Sequence, residues 1–85
     1  MKVVLTATIT KQIRKLDRPV AKKILDYLEQ IEKLENPRDR GKILVSNLSG
    51  IWRYRVGDYR ILCRIIDEEC IIYALEVGHR KEIYN

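Results

Sequence analysis

Three arginines in one short stretch set the problem. In Trp52-Arg53-Tyr54-Arg55-Val56-Gly57-Asp58-Tyr59-Arg60-Ile61, apolar and basic residues alternate, stop at Gly57-Asp58, and resume. Period-two alternation marks a strand with one buried face. A Gly-containing pair between two such runs marks a two-residue hairpin turn, because glycine takes the positive φ the turn demands. With Gly57 and Asp58 as the turn, Val56 faces Tyr59, Arg55 faces Arg60 and Tyr54 faces Ile61. Trp52, Tyr54, Val56, Tyr59 and Ile61 then share one face; Arg53, Arg55 and Arg60 share the other. Like charges directly opposite each other destabilise a hairpin. The arrangement opposes folding and suits an anion. Guanidinium groups are planar, permanently charged and able to grip phosphate with two parallel hydrogen bonds.

The second chemistry-bearing stretch is His79-Arg80-Lys81-Glu82-Ile83-Tyr84, which offers an imidazole, two cations and a phenol. Aromatic rings and guanidinium planes also stack on unpaired bases, the usual way single-stranded RNA is held. Phosphodiester cleavage without a metal would need a base for the RNA 2′-OH, cations for the phosphorane-like charge and an acid for the 5′-oxygen. Arginine is a poor base because its pKa exceeds about 12. Tyr84 and His79 are the candidate proton carriers, and neighbouring arginines can lower a phenol from its usual value near pKa 10. Plainer readings stand beside these. Arg60 pairs with Glu76, Arg53 and Arg55 face solvent, Tyr84 is terminal packing, and His79 is a surface or hinge residue. No Ser/His/acid triad and no phosphate-cradling glycine loop with its lysine is present to propose. One His and two Cys lack the spacing of a zinc site, so no metal and no other cofactor is expected.

The rest of the chain must position these groups. Eighty-five residues make one domain, 1–85, with a thin core. The apolar fraction is that of a globular chain. The net charge of +5 favours an acidic partner, either nucleic acid or an acidic protein. With no signal peptide and no long apolar run, the chain reads as cytoplasmic, with reduced thiols and no membrane partner. Residues 2–7 read as a short strand. Ile9, Ile13 and Leu16 recur at helical spacing, and Asp17-Arg18-Pro19 separates this first helix from a second, which Asp17 can cap. Val20, Ile24, Leu28, Ile31 and Leu34 form one apolar stripe on that second helix, with Lys22/Asp26 and Glu29/Lys33 as i,i+4 partners. Asn36-Pro37 ends it. Residues 38–50 read as a linker in which Arg38, Arg40 and Lys42 surround Gly41, while Ile43, Leu44, Val45 and Leu48 tack it to the core.

After Arg60 the strand runs to Ile66. Asp67-Glu68-Glu69 is a three-residue turn, and residues 70–78 form the last strand. That turn puts Ile71, Tyr73, Leu75 and Val77 on the core face with Tyr59, Ile61, Cys63 and Ile65, sets Glu76 beside Arg60, and leaves Cys70 on the opposite face from Cys63. The order is β-α-α-β-β-β. The class is α+β: two N-terminal helices packed on one face of a largely antiparallel four-stranded sheet, the other face carrying Arg53, Arg55, Arg60 and Arg64. The acidic turn lies at one end of the last hairpin. Arg53, Arg55, Arg60, Arg80 and Lys81 gather toward the other, because the final strand ends near Gly57-Asp58.

At these residues the sequence resembles a RelE-type toxin of the RelE/ParE superfamily. The resemblance rests on Leu48 to Ile61 and on Glu76-Val77-Gly78-His79-Arg80-Lys81-Glu82-Ile83-Tyr84, and the element order fits along the whole chain. It implies the toxin of a type II toxin–antitoxin system, a ribosome-dependent endoribonuclease that cuts mRNA in the A site and halts translation. It further implies a cognate antitoxin that blocks the basic face, with operator DNA reached only through the toxin–antitoxin complex. By position, Arg60 and Arg80 match the family's phosphate-stabilising arginines, Arg80 with an acid-like role toward the leaving group. Tyr84 matches the C-terminal tyrosine proposed as base or stacking element. Arg53 and Arg55 fall where some members carry paired lysines that bind substrate or aid proton transfer, and His79 and Lys81 join them in substrate binding. Arginine in place of lysine departs from that pattern and shifts proton transfer onto Tyr84. Two other readings remain: a ParE-like non-nuclease toxin that inhibits DNA gyrase, and a decayed toxin that serves only as an antitoxin or DNA-binding partner.

Overall fold

The computed structural model of the chain describes residues 1–44 and 50–81. A strand β1 (Lys2–Leu5) leads into helices α1 (Ala7–Arg14) and α2 (Arg18–Lys33). A 3-10 turn (Pro37–Asp39) and a two-residue strand β2 (Lys42–Ile43) follow. Then come β3 (Ile51–Val56), β4 (Tyr59–Ile66), a second 3-10 turn (Asp67–Glu69) and β5 (Ile71–His79). The sheet has five strands in the order β1-β5-β4-β3-β2. The expected helical layer on one sheet face is present, but the sheet gains β2, and β1 lies parallel to β5. β1 sits at the edge beside β5, and the long stretch of chain between them, α1 and α2 included, provides the crossover that parallel strands require.

The α2 stripe behaves as its spacing predicts. Ile24, Leu28 and Ile31 are buried, with Val20 and Leu34 packed against them. Each such side chain contributes about 1.5–3 kcal/mol by leaving water. The stripe meets Tyr54, Ile61, Cys63, Ile65, Ile72, Ala74 and Val77 from the sheet. Lys22 and Asp26 pair at 2.9 Å on the outer face. Asp17 sits at the N-cap of α2 without a capping hydrogen bond, while Pro19 occupies the first turn. Thr6 caps α1 instead, accepting from Ile9 N at 3.2 Å.

The β3–β4 register is the one the sequence implies: Tyr54 opposite Ile61, Arg55 opposite Arg60, Val56 opposite Tyr59. The β4–β5 register is not. Cys70 adopts left-handed backbone (φ 54°) and joins the turn, so four residues separate Ile66 from its partner Ile71. The longer turn moves β5 by one residue. Ile72 and Ala74 therefore face the core, where Ile71, Tyr73 and Leu75 were expected. A bulge then shifts the register again, with Leu62 opposite Glu76 and Cys63 opposite Ala74, leaving Leu75 as the extra residue. That restores Val77 to the core face. The groups the bulge frees are met by α1: Thr6 Oγ1 donates to Leu75 O at 2.8 Å, and Val77 N donates to Gln12 Oε1 at 2.7 Å. Glu76 thus faces Leu62, and Arg60 faces Gly78, not Glu76.

Leu44 is buried, packing with Ile51 and Leu62 in a small cluster on the arginine-bearing face. Ile43 is half exposed at 50% and does not tack the chain to the core as expected. Val45 and Leu48 lie outside the described residues. Cys63 is buried, which pushes its thiol up to about 12, and Cys70 is exposed; both are free. No helix of the described residues is long and apolar enough to cross a membrane.

Candidate RNA-binding face

The helix-side residues of β3 hold the site from behind. Tyr54 is fully buried, and its hydroxyl donates to Pro37 O at 2.6 Å. Trp52 Nε1 donates to Arg40 O at 2.7 Å. These two bonds clamp the segment after α2 onto β3. Gly41 makes the clamp possible: its φ is +80°, and a Cβ there would collide with Arg53 O and Trp52 Nε1. With Trp52 and Tyr54 fixed inward, strand alternation sends Arg53 and Arg55 to the other face.

Cross-strand pairing then assembles a band of cations. Lys42 of β2 lies opposite Arg53 of β3, and Arg55 of β3 lies opposite Arg60 of β4. Two directly opposed like-charge pairs across three strands work against folding. The Arg53 guanidinium is held below its ordinary pKa, first by burial and then by Arg60 and Arg55. Arg60 Nε is buried with no hydrogen-bond partner among the described residues. A buried donor of a charged group without an acceptor costs about 1–3 kcal/mol or more. Arg55 Nε donates to the carbonyl of its own turn, Gly57 O at 3.2 Å.

Arg80, just past β5, reaches the same place, as the sequence implies. Arg80 N donates to Asp58 O at 2.7 Å, so the residue after β5 sits on the β3–β4 turn. Arg80 Nε lies 3.9 Å from Asp58 Oδ1, both side chains being more than half exposed. Such a contact is screened and leaves the guanidinium available to a better acceptor. Arg53, Arg55, Arg60 and Arg80 are thus brought to one end of the sheet. His79 is not on their face: it lies opposite Tyr59 and packs edge-on against that ring at 5.4 Å, on the helix side. There it lines a cavity of about 400 Å³ with Val20, Lys23 and Ile24 of α2. His79 Nδ1 accepts from Lys81 N at 3.2 Å, and Lys81 is exposed. Tyr84 lies outside the described residues.

Lys42 is the member of the band that sequence reasoning missed as a site residue. It was placed in a linker, and a two-residue strand leaves no periodic signal. The usable sign was Gly41 between cations beside an indole-bearing strand.

This helix-backed sheet with a basic face has clear relatives. The toxin RelG of Mycobacterium tuberculosis is 32% identical over 79 residues, covering 93% of this chain and 90% of that protein. The toxin in the RelBE2 toxin–antitoxin complex of the same organism superposes with a TM-score of 0.82 at 30% identity, over 93% of this chain and 90% of its own. The archaeal RelE–RelB complex of Pyrococcus horikoshii OT3 shares the fold (TM-score 0.74, 20% identity, 96% of this chain and 97% of that one). A family model described as the ParE toxin of the type II toxin–antitoxin system parDE matches residues 3–84. The chain belongs to the RelE/ParE superfamily, as a RelE-type toxin of a type II toxin–antitoxin system.

Proposed function

We propose that this toxin is an endoribonuclease that enters the ribosomal A site and cuts mRNA there, stopping translation in the cytoplasm. The observation that carries the reading is the band of like-charged residues on one sheet face, with Arg55 opposite Arg60 and the Arg60 Nε without an acceptor among the described residues. An RNA phosphate supplies the missing negative charge. The names of the relatives, RelG and RelE, support the ribonuclease branch over a gyrase inhibitor.

In this reading the 2′-OH of one nucleotide attacks the adjacent phosphorus and the bond to the 5′-oxygen of the next nucleotide breaks. A 2′,3′-cyclic phosphate and a 5′-OH end result. Arg60 and Arg80 hold the oxygens that gain charge, a term worth about 2.7–4 kcal/mol per well-aimed donor in comparable sites. Arg53 and Arg55 grip flanking phosphate. Tyr84, ionised under the influence of neighbouring arginines, takes the 2′-OH proton, and Arg80 acts as the acid that gives the leaving 5′-oxygen its proton, regaining one from water. Lys81, exposed just past β5, and His79, on the helix side of β5, bind flanking parts of the substrate. The scheme needs no metal and no other cofactor. A cognate antitoxin, as in the RelBE complexes of the relatives, covers the basic face and links the toxin to operator DNA.

The test is growth arrest with the mRNA examined. Induced wild-type toxin should arrest growth and leave ribosome-dependent cuts within codons. Arg80→Ala and Tyr84→Phe should relieve arrest while the proteins still fold. Both variants remaining fully toxic contradicts the residue assignment, and intact mRNA with a DNA-damage response supports gyrase inhibition instead.

A further inference from the structure

At the edge of the sheet where β2 ends, a pocket of about 260 Å³ opens between α2 and the band of cations. Tyr27, Gly41, Lys42, Arg53 and Arg55 line it. Lys42 and Arg53 are direct cross-strand neighbours, so their charges enter from adjacent strands. The pocket's back wall is fixed. Tyr27 meets Tyr54 edge-on at 5.9 Å, and the Arg40 guanidinium lies 5.7 Å from the Tyr27 ring centroid. The Trp52–Arg40 bond and the close approach at Gly41 hold the backbone that carries Lys42. Among the described residues no carboxylate lines this pocket. The ion pairs among the described residues lie elsewhere: Lys22 with Asp26, Arg38 with Asp67, Arg80 with Asp58.

We propose that Lys42 and Arg53, with Tyr27 as the pocket wall, form a second phosphate subsite that holds the RNA chain beside the cleaved bond. The inference rests on the ribonuclease reading and extends it to a residue outside the recognised arginine set. β2 and β4 are two inter-strand spacings apart, roughly 10 Å. One RNA strand can therefore place a phosphate at Arg60 and another at Lys42. The pocket is too small for a helix of a partner protein, whose diameter with side chains is about 10–12 Å. It is concave and cationic, which suits a phosphate group. Arg53 and Arg55 line the pocket and also belong to the band, so the subsite adds affinity without a separate approach.

The test uses full-length toxin and 2′-O-methyl oligonucleotides, which bind but cannot be cut by their own 2′-OH. A dinucleotide carries one internal phosphate and a hexanucleotide several. Lys42→Gln should weaken the hexanucleotide about threefold to tenfold and lower the slope of log affinity against log salt by about 0.7. It should leave the dinucleotide unchanged, and Lys42→Arg should restore the longer ligand. Lys33→Gln, the same charge loss on the outer face of α2, should change neither. Equal effects of Lys42→Gln and Lys33→Gln would overturn the subsite, because only net charge would then matter. Loss of binding to an acidic antitoxin peptide, with RNA binding intact, would overturn it in favour of a protein contact. Failure is separable from failure of the ribonuclease reading, which falls if Arg60→Gln leaves the affinity for both oligonucleotides unchanged.

Discussion

Arg38 and Arg60 are the same residue type at opposite ends of one sheet, and the structure treats them differently. At the far end of β4, Arg38 Nη1 and Nη2 donate to the two oxygens of Asp67, each at 2.9 Å. At the near end, roughly 20 Å away along the strand, Arg60 faces Gly78 across β5 and Arg55 across β3. Its Nε has no partner among the described residues. An arginine given a carboxylate is a tie between elements; one set opposite another arginine, with its Nε unmatched among the described residues, is suited to an anionic ligand. The second half of the chain carries 6 basic and 6 acidic residues, so net charge does not separate the two ends. Register does, by placing the acids at the Asp67–Glu69 turn and the arginines beside Gly57.

Removing the support common to both ends should have the largest effect. Tyr54→Ala deletes the ring behind the arginine band and the hydroxyl that holds Pro37, next to Arg38. Urea denaturation should show a loss of about 3–5 kcal/mol. A loss below about 1 kcal/mol would mean that the two ends are held independently of this ring. A smaller effect of opposite sign is expected at the near end. Arg55→Thr removes one of two opposed charges and should stabilise the fold by about 0.2–1 kcal/mol while weakening RNA binding. Lower stability in that variant would show that the arginine stem packs more than its charge repels.

The smallest effect belongs to the far end. Arg38 holds the Asp67 carboxyl below the usual carboxylate range, chiefly through their hydrogen bonds. A folded-state pKa below the unfolded one contributes stability that is present above the unfolded value and is lost as pH falls through the folded value. The contribution should therefore persist down to about pH 4, the ordinary aspartate value, and fade below it. Carbon-detected NMR titration of Asp67 should place its midpoint below that value in the wild type and near it in Arg38→Gln. An unchanged midpoint in the variant would remove the contrast between the two arginines.

Much of this molecule is legible in its sequence wherever a pattern runs long enough to repeat. The α2 stripe and the β3–β4 hairpin repeat, and their faces and partners follow. Single-residue devices leave no such trace. Cys70 in left-handed backbone lengthened a turn by one residue and exchanged Ile71 for Ile72 on the core face. The Leu75 bulge reversed that shift by Val77, so an incorrect register still placed Val77 correctly. The parallel pairing of β1 depends on where the helices return the chain, a long-range property. Arg53, Arg55, Arg60 and Arg80 could be found because hairpin alternation and the strand end bring them together. Lys42 is marked only by the neighbouring Gly41, because its strand is two residues long and shows no period.

The measurement closest to the central claim is mRNA cleavage on programmed ribosomes by purified wild-type, Arg60→Ala and Arg38→Ala toxins, with folding checked by thermal melting. The expected result is ribosome-dependent cutting by the wild type, a fall of about 100-fold or more for Arg60→Ala, and near wild-type cutting by Arg38→Ala. Equal losses in the two variants, or wild-type toxin that leaves the mRNA intact, would contradict the claim that the arginines of the cation band are the groups that act on RNA.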